Sequence, residues 1–298
     1  MILEDMKRKV IQLSVKTLVV SLPIEWANKN NIIKGSEVEV IDKGSKLLIT
    51  NEKESNKQKI LLDVENQVFD KRYLGDAYMK GYDEIKIKFK DNEILNEIRK
   101  IDLLGFEIVE KEEDYCIIKN VAAVLENEFD TMLRKCFLLT KEISLSIQLY
   151  FNGEKIDLKE VRKLEKENNK VSMFCLRILN KNGYKDNSKT NLYYVIVREI
   201  EAICDIYKYI IDDLLDGEKP EENSIKYFRE THKFLSLFYE LFYKYDNNKW
   251  KIFYDKRKEL TKTGRQLVKE KGTLSHHCLN LIVAINNLSG PFITMNFQ

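Results

Sequence analysis

Proline is scarce in this chain, with three in 298 residues, and glycine numbers only eleven. So few breakers exclude a Gly/Pro-rich low-complexity or collagen-like polymer and call for long uninterrupted elements. Histidine is equally scarce, at three. No Ser-His-Asp set, phosphate-cradling glycine loop or Cys-His pair stands out, so the chain is read as a non-enzyme. The five cysteines (Cys116, Cys136, Cys175, Cys204, Cys278) are scattered without a Cys-x-x-Cys. They are expected as reduced core residues in a cytoplasmic protein, not as disulfides or a zinc site. No apolar run is expected to reach the ~18 residues of a membrane span, so no membrane insertion is expected. The opening residues, with Glu4, Asp5, Lys7, Arg8 and Lys9, carry no apolar core of a signal peptide. Excess charge of one sign is also missing. Fifty basic and forty-eight acidic residues leave +2, so any nucleic-acid contact must be local.

What is present divides into three textures. Residues 7–50 alternate in short β-prone runs, with Pro23 opening a short helix over 24–30 and turns at 34–36 and 43–45. A polar stretch, 51–59, separates this from residues 60–121. There, strands at 60–64, 82–90, 106–110 and 115–119 alternate with helices at 67–79 and 92–103, a small α/β sandwich. From 126 onward the pattern is helical. Six helices are expected near 126–151, 157–181, 190–216, 222–246, 248–271 and 274–289, with breaks at Asn152-Gly153, Asn182-Gly183, Gly217 with Pro220, Asp246 and Gly272. The matching lengths of helices one to three and four to six suggest two diverged copies of a three-helix unit in an antiparallel bundle. The expected class is α+β and multidomain, with boundaries at 1–52, 58–122 and 126–298.

The segment 9–49, with VVSLPIEWA (19–27) and IKGSEVEV (33–40), resembles the SpoVT/AbrB or MazE-type swapped-hairpin module. That resemblance implies an obligate homodimer with interleaved strands and a DNA-binding role. Physics agrees on the dimer, because some 45 residues bury too little apolar surface alone. Lys7, Arg8, Lys9 and Lys16 lie on or beside the first strand and are the candidate contacts to double-stranded DNA. Relatives carry a glycine-rich turn where this chain has Leu13-Ser14-Val15-Lys16-Thr17.

Residues 157–179 and 191–215, with EFDTMLRKCFLL (128–139) before them, resemble the helices of a PhoU repeat. The match implies a phosphate-uptake regulator, a phosphate transporter or regulatory protein as partner, and a metal-binding set at Glu165, Asn169, Glu201 and Asp205. Glu165 and Asp205 are equidistant from Lys185 in the connecting loop, as are Asn169 and Glu201. In an antiparallel hairpin the four groups therefore share one level, two per helix. As oxygen donors they suit Mg²⁺, Mn²⁺ or iron. Arg198, Lys163 and Lys208 are close enough in sequence to neutralise them instead. In the second copy Asn286 and Gly290 stand where carboxylates would be expected. The leading expectation is a phosphate-responsive transcriptional or uptake regulator. Its rival is a dimeric scaffold or adaptor of a phosphate ABC transporter that has lost DNA and metal. An antitoxin role fits the first 50 residues but not the long helical region.

Overall fold

A computed structural model describes residues 7–42, 47–50, 58–65, 69–70, 72–91, 93–122, 128–270 and 272–297. The expected turn at 43–45 and most of the polar stretch 51–59 fall outside these. The chain divides into two compact units, residues 1–56 and 57–298.

In the first unit, β1 (Ile11–Ser14) and β2 (Thr17–Val19) form one antiparallel hairpin, closed by a Ser14–Thr17 hydroxyl hydrogen bond of 2.9 Å. Helix α1 (Ile24–Lys29) follows Pro23, and β3 (Glu39–Asp42) pairs with β4 (Leu47–Thr50).

The second unit opens with four strands in the order β5-β6-β8-β7. They are β5 (Lys59–Asp63), β6 (Glu84–Lys88), β7 (Phe106–Lys111) and β8 (Tyr115–Asn120). Helix α2 (Arg72–Lys80) makes the crossover between parallel β5 and β6, and α3 (Glu93–Arg99) leads to β7. Alternation decides which face is covered: Ile85, Ile87, Cys116 and Ile118 are buried, while Leu61 on the opposite face is half exposed. Both helices are shorter than the periodicity predicts. Asp70 accepts from the Arg72 amide and Asp91 from the Glu93 amide, so side-chain capping fixes where each begins. Ile101 and Leu103 pack against the core from the loop after α3.

Beyond these come α4 (Phe129–Phe151), α5 (Leu158–Asn182), α6 (Thr190–Leu215), α7 (Glu222–Tyr243), α8 (Asn247–Leu267), α9 (Thr273–Asn287) and α10 (Ser289–Asn296). Helices α4, α5 and α6 pack mutually, as do α7, α8 and α9. The two groups meet where α4 lies on α7 and α6 on α9. Phe234, Phe238 and Leu241 of α7 are buried, so that aromatic stripe is core. Phe234 stacks on Phe253 of α8 at 4.4 Å. Further along α8, Gly264 leaves room for Tyr227 of α7, since a Cβ there would fall 2.3 Å from the Tyr227 hydroxyl. All five cysteines are buried and free.

One expectation needs correction. The run Thr273–Asn296 has the length and apolar content of a membrane span. Its polar members are Thr, His, Ser and Asn, which interrupt the apolar letters without adding formal charge. In the structure Leu274, Cys278, Leu281, Ile282 and Ile285 face the helix core.

The α/β layer is held to the helices by α2 on α5. Arg177 of α5 reaches into it. Its guanidinium donates to the carbonyls of Tyr78 (3.0 Å) and Tyr82 (2.7 Å) and to Asp83 (2.5 Å), beside the rings of Tyr78 and Phe106. Lys181, one turn on, also donates to Asp83 at 2.8 Å. Arg177 and Asp83 are nearly inaccessible, at 3% and 4%. Breaking such a pair from one side strands a buried charge, which costs about 3–5 kcal/mol. Lys181 stays beside Asp83 when Arg177 is lost, so Arg177→Met should destabilise the protein by up to that amount in urea unfolding, and Asp83→Asn in the same chain should recover part of it.

Candidate functional site

Two candidate sites exist, one in each unit. In the first, Lys7, Arg8 and Lys9 precede β1 and are exposed, and Lys16 sits in the turn after it. At ~3.3 Å per residue, Lys9 and Lys16 are roughly 20 Å apart along the hairpin. The structure thus keeps Lys7–Lys9 together and places Lys16 at the opposite end.

The apolar residues of this unit are more telling. Leu13 is 72% exposed, Val15 92%, Leu18 69%, Ile24 69% and Ile33 77%, and Ala27 is the buried apolar residue among those described. These β-branched and leucine side chains follow the alternation of a half-buried sheet, yet both faces of the β1–β2 hairpin are open. A scattered exposed leucine is ordinary, whereas a whole module of them marks an association surface.

In the second unit, α5 and α6 run side by side, and three of the four polar residues are linked, Asn169 to Glu165 and Glu165 to Asp205 through Lys208. Asn169 donates to Glu165 at 2.7 Å, one turn away on α5. From α6, Lys208 hydrogen-bonds Asp205 and lies 3.6 Å from Glu165, so Glu165 and Asp205 are level as their spacing requires. Arg162 holds the other Glu165 oxygen at 2.8 Å and reaches Asp212. Arg198 pairs with Glu201 at 3.3 Å. Lys163 points elsewhere, to Glu160. Arg162 was the missed participant, although its i, i+3 spacing from Glu165 is a readable signal.

Electrostatically the cluster is filled from within. Burial raises the Glu201 carboxyl above its usual 4.5; Arg198 and Lys208 oppose this, and Asp205 and Glu165 reinforce it. Burial works against the Lys208 charge, but the hydrogen bond to Asp205 and the field of Glu165 hold its amine above the ordinary lysine value. Asn169 Oδ1 is buried with no hydrogen-bond partner, the one feature that would welcome a donor or cation. Among the described residues, no group of three or more His, Cys, Asp or Glu side chains is arranged to hold a metal ion. The set does not fit a metal as it stands: an ammonium sits between the two carboxylates where the ion would go.

The histidines do not join it. His277 Nε2 lies 3.0 Å from Asp213 and stacks on Tyr209, and His276 beside it is exposed. His232 contacts Ser144 at 2.9 Å through Nδ1.

A family model described as antidote-toxin recognition MazE, bacterial antitoxin, matches residues 16–57. The N-terminal unit therefore contains a MazE/AbrB-like domain. The match includes Lys16 and leaves out Lys7, Arg8 and Lys9. No curated protein and no solved structure matches the chain.

Because Glu201 titrates higher when folded, the unfolded chain gives up its proton first as pH rises through the window above 4.5. Stability therefore falls across that window and stays lower beyond it. Glu201→Gln should remove the decline. The thermal midpoints of variant and parent should coincide near pH 4 and separate in favour of the variant by pH 7. An unchanged gap across that range would mean that its surroundings do not raise the Glu201 carboxyl.

Proposed function

We propose that this chain is a homodimeric DNA-binding regulator whose helical region belongs to phosphate-uptake control. The observation that carries the proposal is the coincidence of the MazE/AbrB-like match at 16–57 with a module whose apolar residues are exposed in the single chain. Such domains pair through a shared β core, and a paired core would bury the leucines and valines left open here. Pairing also doubles Lys7, Arg8, Lys9 and Lys16, giving eight cations on one assembly.

The phosphate part rests on separate support: the two three-helix groups, and the level set Glu165, Asn169, Glu201 and Asp205 on neighbouring helices. In this reading the helical region senses state through a protein partner. Its acidic level is stabilised by Lys208 and Arg162, so the output does not depend on a bound metal.

A second reading, a dimeric adaptor without DNA contact, is favoured by one observation. The turn between β1 and β2 lacks the glycine-rich sequence of relatives and separates Lys16 from Lys7–Lys9. The MazE antitoxin family matched at 16–57 also raises an antitoxin role. Here, though, the matched domain is followed by a large folded unit.

Light scattering of the full chain should give twice the 35.3 kDa of one copy. Burying a leucine is worth about 1.5–3 kcal/mol, so Leu13→Ser with Leu18→Ser should weaken the dimer at least about tenfold. A monomeric parent at micromolar concentration would remove the reading. With half of the eight N-terminal cations on phosphates, those cations by themselves should contribute a slope of roughly −4 to the fall of log K for duplex DNA against log salt. Absence of binding at low salt would leave the adaptor reading. Retention of the ATPase subunit of a phosphate ABC transporter by the full chain is the outcome expected of the phosphate assignment, and its failure would remove that part alone.

A further inference from the structure

The two three-helix groups differ in what covers their outer helix. In the first, the outer side of α5 is taken up by α2 of the α/β layer. In the second, the counterpart α8 packs on α7 and α9 and on the turn that follows it. Its inward face carries Phe253, Leu260 and Gly264, all buried. On the opposite side lie Lys258, Lys262, Arg265 and Lys269, all exposed, with Arg257 half buried beside them. Together with Thr261 and Gln266 they line an open groove of about 490 Å³.

These cations are not neutralised as Lys249 and Lys256 on the same helix are. Lys249 pairs with Glu240 and Lys256 with Glu230. Arg257, Lys258, Lys262, Arg265 and Lys269 have no ion pair among the described residues, though Asp255 and Glu259 flank the row. The Arg257 Nε is buried and has no hydrogen-bond partner. Tyr254 backs the start of the row, with Lys258 4.2 Å and Arg257 5.3 Å from its ring centroid.

We propose that this face of α8 is a second docking surface for duplex DNA, gripping the phosphate backbone. The inference rests on the DNA-binding reading of the chain and adds a contact far from the MazE/AbrB-like match in sequence. Three features select a nucleic-acid backbone over an acidic protein. Lysine is depleted in protein–protein interfaces, whereas DNA-binding surfaces are strongly positive. The groove has hydroxyl and amide groups between the cations, Thr261 and Gln266, and no apolar anchor of the kind a protein hot spot needs. The row also has the right reach. From residue 257 to 269 a helix rises about 18 Å, and duplex DNA carries a charge every ~1.7 Å of axis, so about ten phosphate charges face five cations. With four lysine or arginine side chains free to adapt, the contact would position the protein without reading bases.

The test uses the full chain in four forms: parent; Lys258→Ala, Lys262→Ala, Arg265→Ala and Lys269→Ala combined; Lys7→Ala, Arg8→Ala and Lys9→Ala combined; and a charge-keeping form with Lys258→Arg, Lys262→Arg and Lys269→Arg. Each is titrated with a duplex oligonucleotide at several salt concentrations. Poly-L-glutamate serves as a parallel acidic-polypeptide probe, and circular dichroism confirms helicity, which alanine at exposed helical positions should preserve. The α8 alanine form should bind DNA at least about tenfold more weakly at 100 mM salt. Its salt slope should be shallower by about 3 or more per chain, and the arginine form should match the parent. If the α8 alanine form binds as the parent does and only the N-terminal form loses affinity, this inference falls and the proposed function stands. If the α8 form loses poly-glutamate binding but keeps DNA binding, the face belongs to an acidic protein and the inference is overturned. If the parent binds no DNA at 50 mM salt, both readings fall.

Discussion

The buried guanidinium of Arg177 is the constraint on which the second unit turns. It satisfies two carbonyls at the end of α2 and the carboxylate of Asp83 just before β6. The sheet, its crossover helix and α5 are thereby fixed against one another at a single point. A buried ion pair is weak evidence for net stability, because desolvation offsets much of the attraction. Its value is in specificity: a guanidinium with fixed donor directions permits one seating of the layer on α5. Gly81 belongs to the same arrangement. It adopts φ +107°, a conformation that favours glycine, where the chain passes the Lys181 side chain.

Charge is handled differently in the two helical groups. Between α5 and α6 each carboxylate finds an internal partner: Arg162 and Lys208 for Glu165, Lys208 for Asp205, Arg198 for Glu201. That region is electrostatically closed. Along the outer face of α8 and the turn after it, five cations gather with no ion pair among the described residues. A near-zero net charge for the whole chain conceals both facts, because it averages a compensated interior against an uncompensated face.

The N-terminal unit is at the other extreme from the helical core. The helices bury Cys204, Tyr207, Phe228 and Leu281 completely, whereas the β1–β2 hairpin leaves Val15 almost fully accessible. A hairpin of four- and three-residue strands cannot bury its own apolar side chains, and two-stranded ribbons are marginal alone in water. The same alternation that marks the strands in the sequence therefore also implies a second surface to complete them.

The sequence by itself determined most of the elements and their order, though α10 lies beyond the last helix it marks. The six long helices fall within a few residues of their expected bounds, because breakers and caps such as Asn182-Gly183 and Asp246 act locally. The four strands of the sandwich were legible for the same reason, and helical spacing alone put Glu165 level with Asp205, whose carboxylates Lys208 bridges. Tertiary structure decided what those residues meet. Whether Glu165 faces an ion, Lys163 or Arg162 depends on side-chain direction and on a neighbour forty residues away. Whether α8 presents its lysines to a carboxylate or to an open groove depends on which helices surround it. Local propensity acts over a turn or two of chain. Compensation of charge and closure of apolar faces are settled across the fold, between residues that only packing brings together.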